Sequence, residues 1–290
     1  MMGHDMAKTE NAGQAAFKLG LIGDNIAQSK SPMLHRLTGL QLDLPITYDR
    51  LVPKERGQSF DALFDVAAAE GYRGINVTYP YKEHVTRRVS IADPLVRAIG
   101  AVNTVIFSDD GPQGHNTDYS GFVAAYRGVR DDVAPGIVCM IGTGGVGRAV
   151  AFGLIALKAQ EIRLVDRDMD KAEALAADLR RAAPDIDVSV VASAVEAATG
   201  ADGLINCTPV GMVGYDGTPL PRTAMTGAAW AFDAVYTPVD TQFLTDAAAE
   251  GLVVISGYEL FFYQGVHASH IFTGRTLDHA RLRADLLKGE

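Results

Sequence analysis

Apolar residues recur along this chain in two rhythms that alternate nearly from end to end. Short apolar runs of strand length occur at Leu19–Gly23, Thr47–Val52, Gly71–Thr78 and Ala101–Phe107. Between them lie helix-period segments: Leu34, Leu37 and Leu40 on one stripe, then a helix over about Phe60–Glu70. A helix beginning near Asp118 carries Tyr119, Phe122, Val123 and Tyr126 at helical spacing. The rhythm then becomes stricter. Strands are expected at Ile137–Ile141, Ile162–Val165, Val188–Val191, Leu204–Thr208, Trp230–Tyr236 and Val253–Ser256. An Ala-rich helix and a Lys171–Ala183 helix with Leu175 and Leu179 on one face fall between the first of these. Regular alternation of this kind implies a doubly wound parallel sheet. The pattern therefore predicts an α/β chain of two domains, a mixed α/β unit over 17–117 and a Rossmann unit over 118–257, the 118 helix crossing between them. The last segment, Gly257–Thr273, reads as helix, with Leu260, Phe261, Gln264, Ala268 and Ile271 on one face. Gln264 interrupts that apolar face, so it satisfies a buried group or touches a ligand.

The turn after Ile141 adds chemistry. Gly142-Thr143-Gly144-Gly145-Val146-Gly147 has the G-x-G-x-x-G form between a strand and a helix, and Asp166 ends the next strand 19 residues beyond Gly147. The first glycine permits the tight turn, the second lets backbone approach a pyrophosphate, and the third lets helix lie close on strand. Unpaired amides at the helix start then bind phosphate. Strand, turn, helix and acid together predict dinucleotide binding.

Composition narrows the class. Of 290 residues 48% are hydrophobic and 21% charged, a globular profile, and the net charge of −9 speaks against nucleic acid or an anionic membrane as partner. The longest apolar stretch, Val150–Leu157, is too short to span a bilayer. Residues 1–16 lack an apolar signal core and are expected to form a disordered tail. Cys139 and Cys207 sit in apolar runs and are expected as free thiols of a cytoplasmic protein.

Several polar residues have ordinary local explanations. Ser31 before Pro32 fits a helix cap, although Ser29 and Ser31 beside a helix start also suit a carboxylate. Asp118 fits a cap, Lys82 a solvated charge and His84 the surface. Asn76 and Thr78 alternate with Ile75 and Val77 along their strand. His267 and His270 have no acid or thiol cluster nearby, so no metal is expected.

In order and spacing, however, Ser29-Lys30-Ser31-Pro32, Asn76 to Lys82, Gly100 to Thr104, Asn116-Thr117-Asp118, the glycine turn, Asn206 to Met212, Asp233-Ala234-Val235-Tyr236 and Gly257 to Gln264 resemble the shikimate and quinate dehydrogenases. The resemblance runs from about Leu19 to the C-terminus. It implies hydride transfer between shikimate, or quinate, and a nicotinamide cofactor, in aromatic biosynthesis or in quinate and shikimate catabolism. It also implies that helices over 258–290 complete the substrate domain, and that the protein is a monomer or homodimer.

On the same resemblance Lys82 and Asp118 are the catalytic pair, and Ser29, Ser31, Asn76, Thr78, Asn103, Tyr236 and Gln264 meet the substrate. Gly142, Gly144, Gly145, Val146, Gly147, Asp166, Arg167, Thr208, Pro209, Val235 and Gly257 meet the cofactor. Two departures bear on specificity. Asp24-Asn25-Ile26-Ala27-Gln28 replaces the family's Asn-Pro-Ile-x-His. Asp166-Arg167-Asp168 stands where NADP-using members carry Asn-Arg-Thr, and a carboxylate there accepts from a ribose hydroxyl and repels a 2′-phosphate. The cofactor expected is NAD, with NADP kept open by the Arg167 guanidinium. Asp166 and Gly114 to Gly121 resemble the NAD-dependent quinate/shikimate branch, whereas Ser31 fits shikimate where quinate-preferring members tend to carry threonine; shikimate is expected, with quinate as a second substrate. A folate-dependent dehydrogenase is disfavoured by the serine pair and Asn116-Thr117-Asp118. A non-catalytic sensor is disfavoured by the presence of both Lys82 and Asp118.

Overall fold

A computed structural model describes residues 17–24 and 26–288. The tail expected over 1–16 lies outside the described residues, as does Asn25 of the departure before Ser29. The first half holds β1 (Phe17–Ile22), α1 (Ser31–Leu42), β2 (Ile46–Leu51), α2 (Pro53–Arg56), α3 (Phe60–Ala69), β3 (Gly74–Val77), α4 (Pro94–Ile99), β4 (Thr104–Ser108) and β5 (Gly111–His115). Its sheet runs β2-β1-β3-β4-β5, with β1 parallel to β2 and β3, and β3-β4-β5 antiparallel. The β5 strand replaces the turn expected at Gly111, because Gly111–His115 pairs residue for residue with Thr104–Ser108 despite its low apolar content. Cross-strand hydrogen bonds override a weak local pattern there.

The crossing helix α5 (Thr117–Arg130) leads into β6 (Ile137–Ile141), α6 (Gly145–Ala156), β7 (Glu161–Val165), α7 (Met169–Ala182), β8 (Asp187–Val190), α8 (Ala194–Ala198), β9 (Gly203–Asn206), β10 (Trp230–Asp233), α9 (Gln242–Ala249) and β11 (Val253–Ile255). All six strands are parallel in the order β11-β10-β9-β6-β7-β8. The order reverses beside β6, so the crevice beyond the strand ends opens at the glycine turn. Both faces of this sheet are covered, so Val138–Ile141 and Gly203–Asn206 are buried as continuous runs. The α10 (Gly257–Thr273) and α11 (His279–Lys288) helices return to the first half, where Phe262, Val266, Leu282 and Leu286 bury against Leu34 of α1.

One expected stripe fails. Leu34 is buried, but Leu40 is 64% exposed. Three-residue steps fall about 60° short of a helical turn, so Leu40 lies about 120° around from Leu34. The side that buries instead carries Leu34, His35, Thr38 and Gly39.

Candidate active site

The reacting end of the cleft is built where β4 meets the start of α5. Asn103 accepts from Thr117 N through Oδ1 (2.7 Å) and donates from Nδ2 to Thr117 Oγ1 (3.0 Å). Asn116, whose side chain accepts from Tyr119 N and donates to Ala101 O, is the true cap of α5. Asp118 therefore does not cap the helix; it lies in the first turn with its carboxylate free for another partner. That partner is Lys82, whose Nζ donates to Asp118 Oδ2 at 2.7 Å, the two side chains 16% and 9% exposed. The lysine's own carbonyl accepts from Val102 N (2.8 Å), fixing the turn after β3 against the strand that carries Asn103. A lysine expected on local grounds to be solvated is thus half-buried and paired.

Lys82 and Asp118 line a cleft of about 840 Å³ with Ser29, Ser31, Asn76, Thr78, Asn103, Tyr236 and Gln264. All seven residues expected at the substrate converge there, although seven different elements and loops carry them. Ser31 begins α1 rather than capping it; Lys30 holds the cap position with no side-chain cap bond. The two serines bond to each other, Ser29 Oγ donating to Ser31 Oγ at 3.2 Å and accepting from Ser31 N at 3.3 Å. Tyr236 stacks on Phe261 of α10, and burial raises its phenol above the ordinary value.

The opposite wall is mostly backbone. Gly142 takes φ +100°, and a Cβ on Gly147 would lie 2.1 Å from Gly142 O, so this turn closes only with glycine at both positions. Gly144 is the cap residue of α6 and has no side-chain cap bond. The first amides of α6 are therefore orphaned donors; a Cβ at Gly145 would meet open space, and one at Gly144 would meet Lys171 Nζ at 3.9 Å. That cradle fits a pyrophosphate. A second hollow of about 710 Å³ continues past it, lined by Gly142, Gly144, Asp166, Arg167, Thr208 and Pro209 among others. Val146, Thr208, Pro209, Val235 and Gly257 line the first cleft, so the two hollows share the segment after β9. Gly145 and Gly147 line neither hollow; Gly147 shapes the turn from behind.

Asp166 Oδ2 accepts from Thr143 N and Oγ1, both at 2.7 Å, and Oδ1 accepts from Asp168 N. Burial alone would raise this carboxyl, but the bonds from Thr143 and Asp168 outweigh it and hold it below the ordinary range. It is an anion at neutral pH, at the end of β7.

Four residues that sequence reasoning did not assign support the site. Asp233 is fully buried and accepts from Asn206 Nδ2 (3.0 Å), Val235 N (2.9 Å) and Thr241 Oγ1 (2.6 Å). Asn206 in turn accepts from Thr208 N and Oγ1. This network ties together the loops that bring Thr208 and Val235 to the cleft. Burial lifts the Asp233 carboxyl to about 6, with its three donors acting against the rise. A carboxylate inside an apolar strand run was the available signal. His35 and Tyr48 lie behind the serines, His35 lining the cleft, and their polar rings within apolar stripes were the sign.

Both cysteines are free; burial pushes Cys139 up to about 12 and raises Cys207 as well. His267 Nδ1 pairs with Ser120 Oγ (2.8 Å) and His270 Nδ1 with Arg275 O, so each has its own partner. Among the described residues no group of three His, Cys, Asp or Glu is placed to hold a metal, and no helix is long and apolar enough to cross a membrane.

A Rossmann cradle facing a half-buried Lys–Asp pair across a polar cleft defines the class, a dinucleotide-linked dehydrogenase. Residues 21–105 match the model of the shikimate dehydrogenase substrate binding domain, and residues 137–214 match that of an NADP oxidoreductase, coenzyme F420-dependent. The chain is 37% identical to the quinate/shikimate dehydrogenase (NAD(+)) of Corynebacterium efficiens, over 93% of this chain and 97% of that one. It is 36% identical to the shikimate dehydrogenase (NADP(+)) of an Arthrobacter species, over 94% and 95%. The solved quinate dehydrogenase of Corynebacterium glutamicum in complex with NAD superposes with a TM-score of 0.89 at 33% identity, covering 94% of this chain and 99% of that one. The chain belongs to the NAD(P)-dependent shikimate/quinate dehydrogenase family.

Proposed function

We propose that this chain oxidises shikimate to 3-dehydroshikimate with NAD, reversibly, and accepts quinate as a second substrate. The observation that carries this reading is the half-buried Lys82–Asp118 pair at 2.7 Å in the same cleft as the Ser29–Ser31 hydroxyls. The serines would hold the substrate carboxylate, and Thr78, Asn103, Tyr236 and Gln264 the ring hydroxyls. Asn76 is a supporting residue, since both protons of its amide are committed to Asn103 O and Thr104 Oγ1. NAD, held by the α6 amides and the strand-end Asp166, supplies the hydride acceptor.

Oxidation of a secondary alcohol releases a proton from oxygen and a hydride from carbon. The Lys82–Asp118 pair receives the hydroxyl proton, and the ammonium stabilises negative charge as it grows on that oxygen. Their partial burial lowers the local screening, which strengthens both effects. Asp166 favours NAD because its acceptor oxygens and negative charge suit a 2′-hydroxyl and oppose a 2′-phosphate. Free thiols fit a cytoplasmic enzyme acting on small molecules, as monomer or homodimer.

Reduction of NAD, followed by absorbance, tests the substrate assignment with shikimate, quinate and shikimate methyl ester side by side. The expected order of kcat/KM is shikimate, then quinate, with the ester weaker than shikimate by at least about tenfold through loss of its charged hydrogen bonds. Equal use of the ester would remove the serine pair from its role. Absence of turnover with both acids would favour a sensor.

A further inference from the structure

Behind the serine pair a chain of hydrogen bonds runs through residues that do not themselves face the reacting atoms. Tyr48 on β2 donates from its hydroxyl to Asn76 Oδ1 at 2.9 Å. The same hydroxyl lies within hydrogen-bonding reach of the Ser31 side chain. Its ring stacks on the imidazole of His35, with centroids 4.7 Å apart and planes 10° from parallel. His35 is 2% exposed, and burial brings its ring down to about 4, so it is a neutral imidazole at working pH.

Counting protons fixes what each group has to offer. Asn76 spends both amide protons on Asn103 O and Thr104 Oγ1, so toward Tyr48 and His35 it presents only an acceptor oxygen. His35 Nδ1 meets Ser269 Oγ at 3.2 Å. Thr38 Oγ1 donates to Leu34 O (3.0 Å) and meets Ser269 Oγ (3.2 Å), so Ser269 donates to Thr38 and the single ring proton of His35 sits on Nδ1, facing Ser269. Asn76 Oδ1 is thus left to the Tyr48 hydroxyl. Ser31 has one hydroxyl proton and takes a hydrogen bond from Ser29.

Building on the functional reading above, we propose that Tyr48 is a positioning residue for the substrate carboxylate, acting through Ser31. When Ser31 turns its proton to the carboxylate, Tyr48 turns its own from Asn76 to the Ser31 oxygen. Every hydroxyl keeps its own proton, and the Tyr48–Asn76 bond is exchanged for the bond from Ser31 to the carboxylate. Without the Tyr48 hydroxyl, Ser31 would donate to the carboxylate with its oxygen held by Ser29 alone.

Tyr48→Phe keeps the ring on His35 and removes only the hydroxyl. Its KM for shikimate is expected to rise about tenfold, the loss of one charge-linked hydrogen bond, while kcat and the KM for NAD stay within about twofold. Placed in Ser31→Ala, the same change should alter KM less than about twofold, since residues acting through one group are not additive. Shikimate methyl ester should not distinguish Tyr48→Phe from its parent. A tenfold rise repeated in the Ser31→Ala background, or an unchanged KM in Tyr48→Phe alone, would overturn the proposal. Turnover of shikimate by the unsubstituted enzyme tests the functional reading separately, because the Tyr48 test reads only the ratio between variant and parent.

Discussion

The two walls of the cleft are made of different material. The wall from the first half offers side chains drawn from β3, the turn after it, the residue before β4, α1 and α5, and Asn76, Lys82, Asn103 and Asp118 are each held by a bond to another segment. The wall from the second half offers mainly peptide groups: a glycine turn, the orphan amides of α6 and a single strand-end carboxylate. The difference follows from the ligands. A small hydroxy acid has to be read group by group, which takes directional side chains, whereas a pyrophosphate is served by any concave set of amides. Substitutions on the two walls should therefore fail in different ways, the first in turnover and the second in cofactor affinity or choice.

The largest effect is expected on the side-chain wall. Lys82→Ala should lose kcat by about 10³-fold, within the usual range for a proton-transfer group, with the dissociation constant for NAD nearly unchanged. Calorimetric titration of NAD and a turnover assay on one preparation check both halves. Near-wild-type turnover would remove Lys82 from its role, and a parallel loss of NAD binding would dissolve the contrast between the walls.

Next comes the carboxylate beneath the peptide wall. Asp233 has a folded-state value of about 6 against an ordinary 3.8. Between those values the folded chain holds a proton that the unfolded chain has lost. The group's contribution to stability is thus full below about pH 4 and is lost as the pH rises to about 6, by up to about 3 kcal/mol. Asp233→Asn abolishes this titration. It should be less stable at every pH, because its amide faces three donors, yet the gap to the parent should narrow from pH 4 to pH 7. Urea midpoints across that range decide it, and a constant gap would mean that Asp233 titrates normally.

Cofactor choice should move by a smaller factor. Asp166→Asn removes the charge facing a 2′-phosphate while leaving an oxygen for Thr143, and the kcat/KM ratio of NADP to NAD is expected to rise about 100-fold. An unmoved ratio would hand discrimination to Arg167 or another neighbour. The smallest effect is purely steric. Gly147→Ala brings a methyl against Gly142 O, and displacement of the turn should weaken NAD binding about tenfold while kcat at saturating NAD changes little.

The contrast between the walls also sets what was legible in the chain. The peptide wall is local in sequence: strand, turn, helix and acid lie within Ile137–Asp166, and the structure reproduces each in place. The side-chain wall is not local. Lys82 and Asp118 are 36 positions apart, and their pairing depends on Asn103 pinning Thr117, a contact that no periodicity announces. Local patterns assigned Asp118 to a cap that Asn116 makes, and Ser31 to a cap that it does not make. Only the order of motifs along the whole chain pointed to these residues. Asp233, His35 and Tyr48 stayed hidden because a polar group within an apolar run looks like noise until its buried partners are known. The β5 strand stayed hidden because its pairing, not its composition, makes it a strand.

The most direct test of the whole account is the initial rate of nicotinamide reduction by the unsubstituted enzyme, with saturating shikimate and either NAD or NADP. Steady turnover with a kcat/KM at least about tenfold higher for NAD is expected from the Asp166 carboxylate opposite the Lys82–Asp118 pair. A higher kcat/KM with NADP, or no turnover with either cofactor, would contradict it.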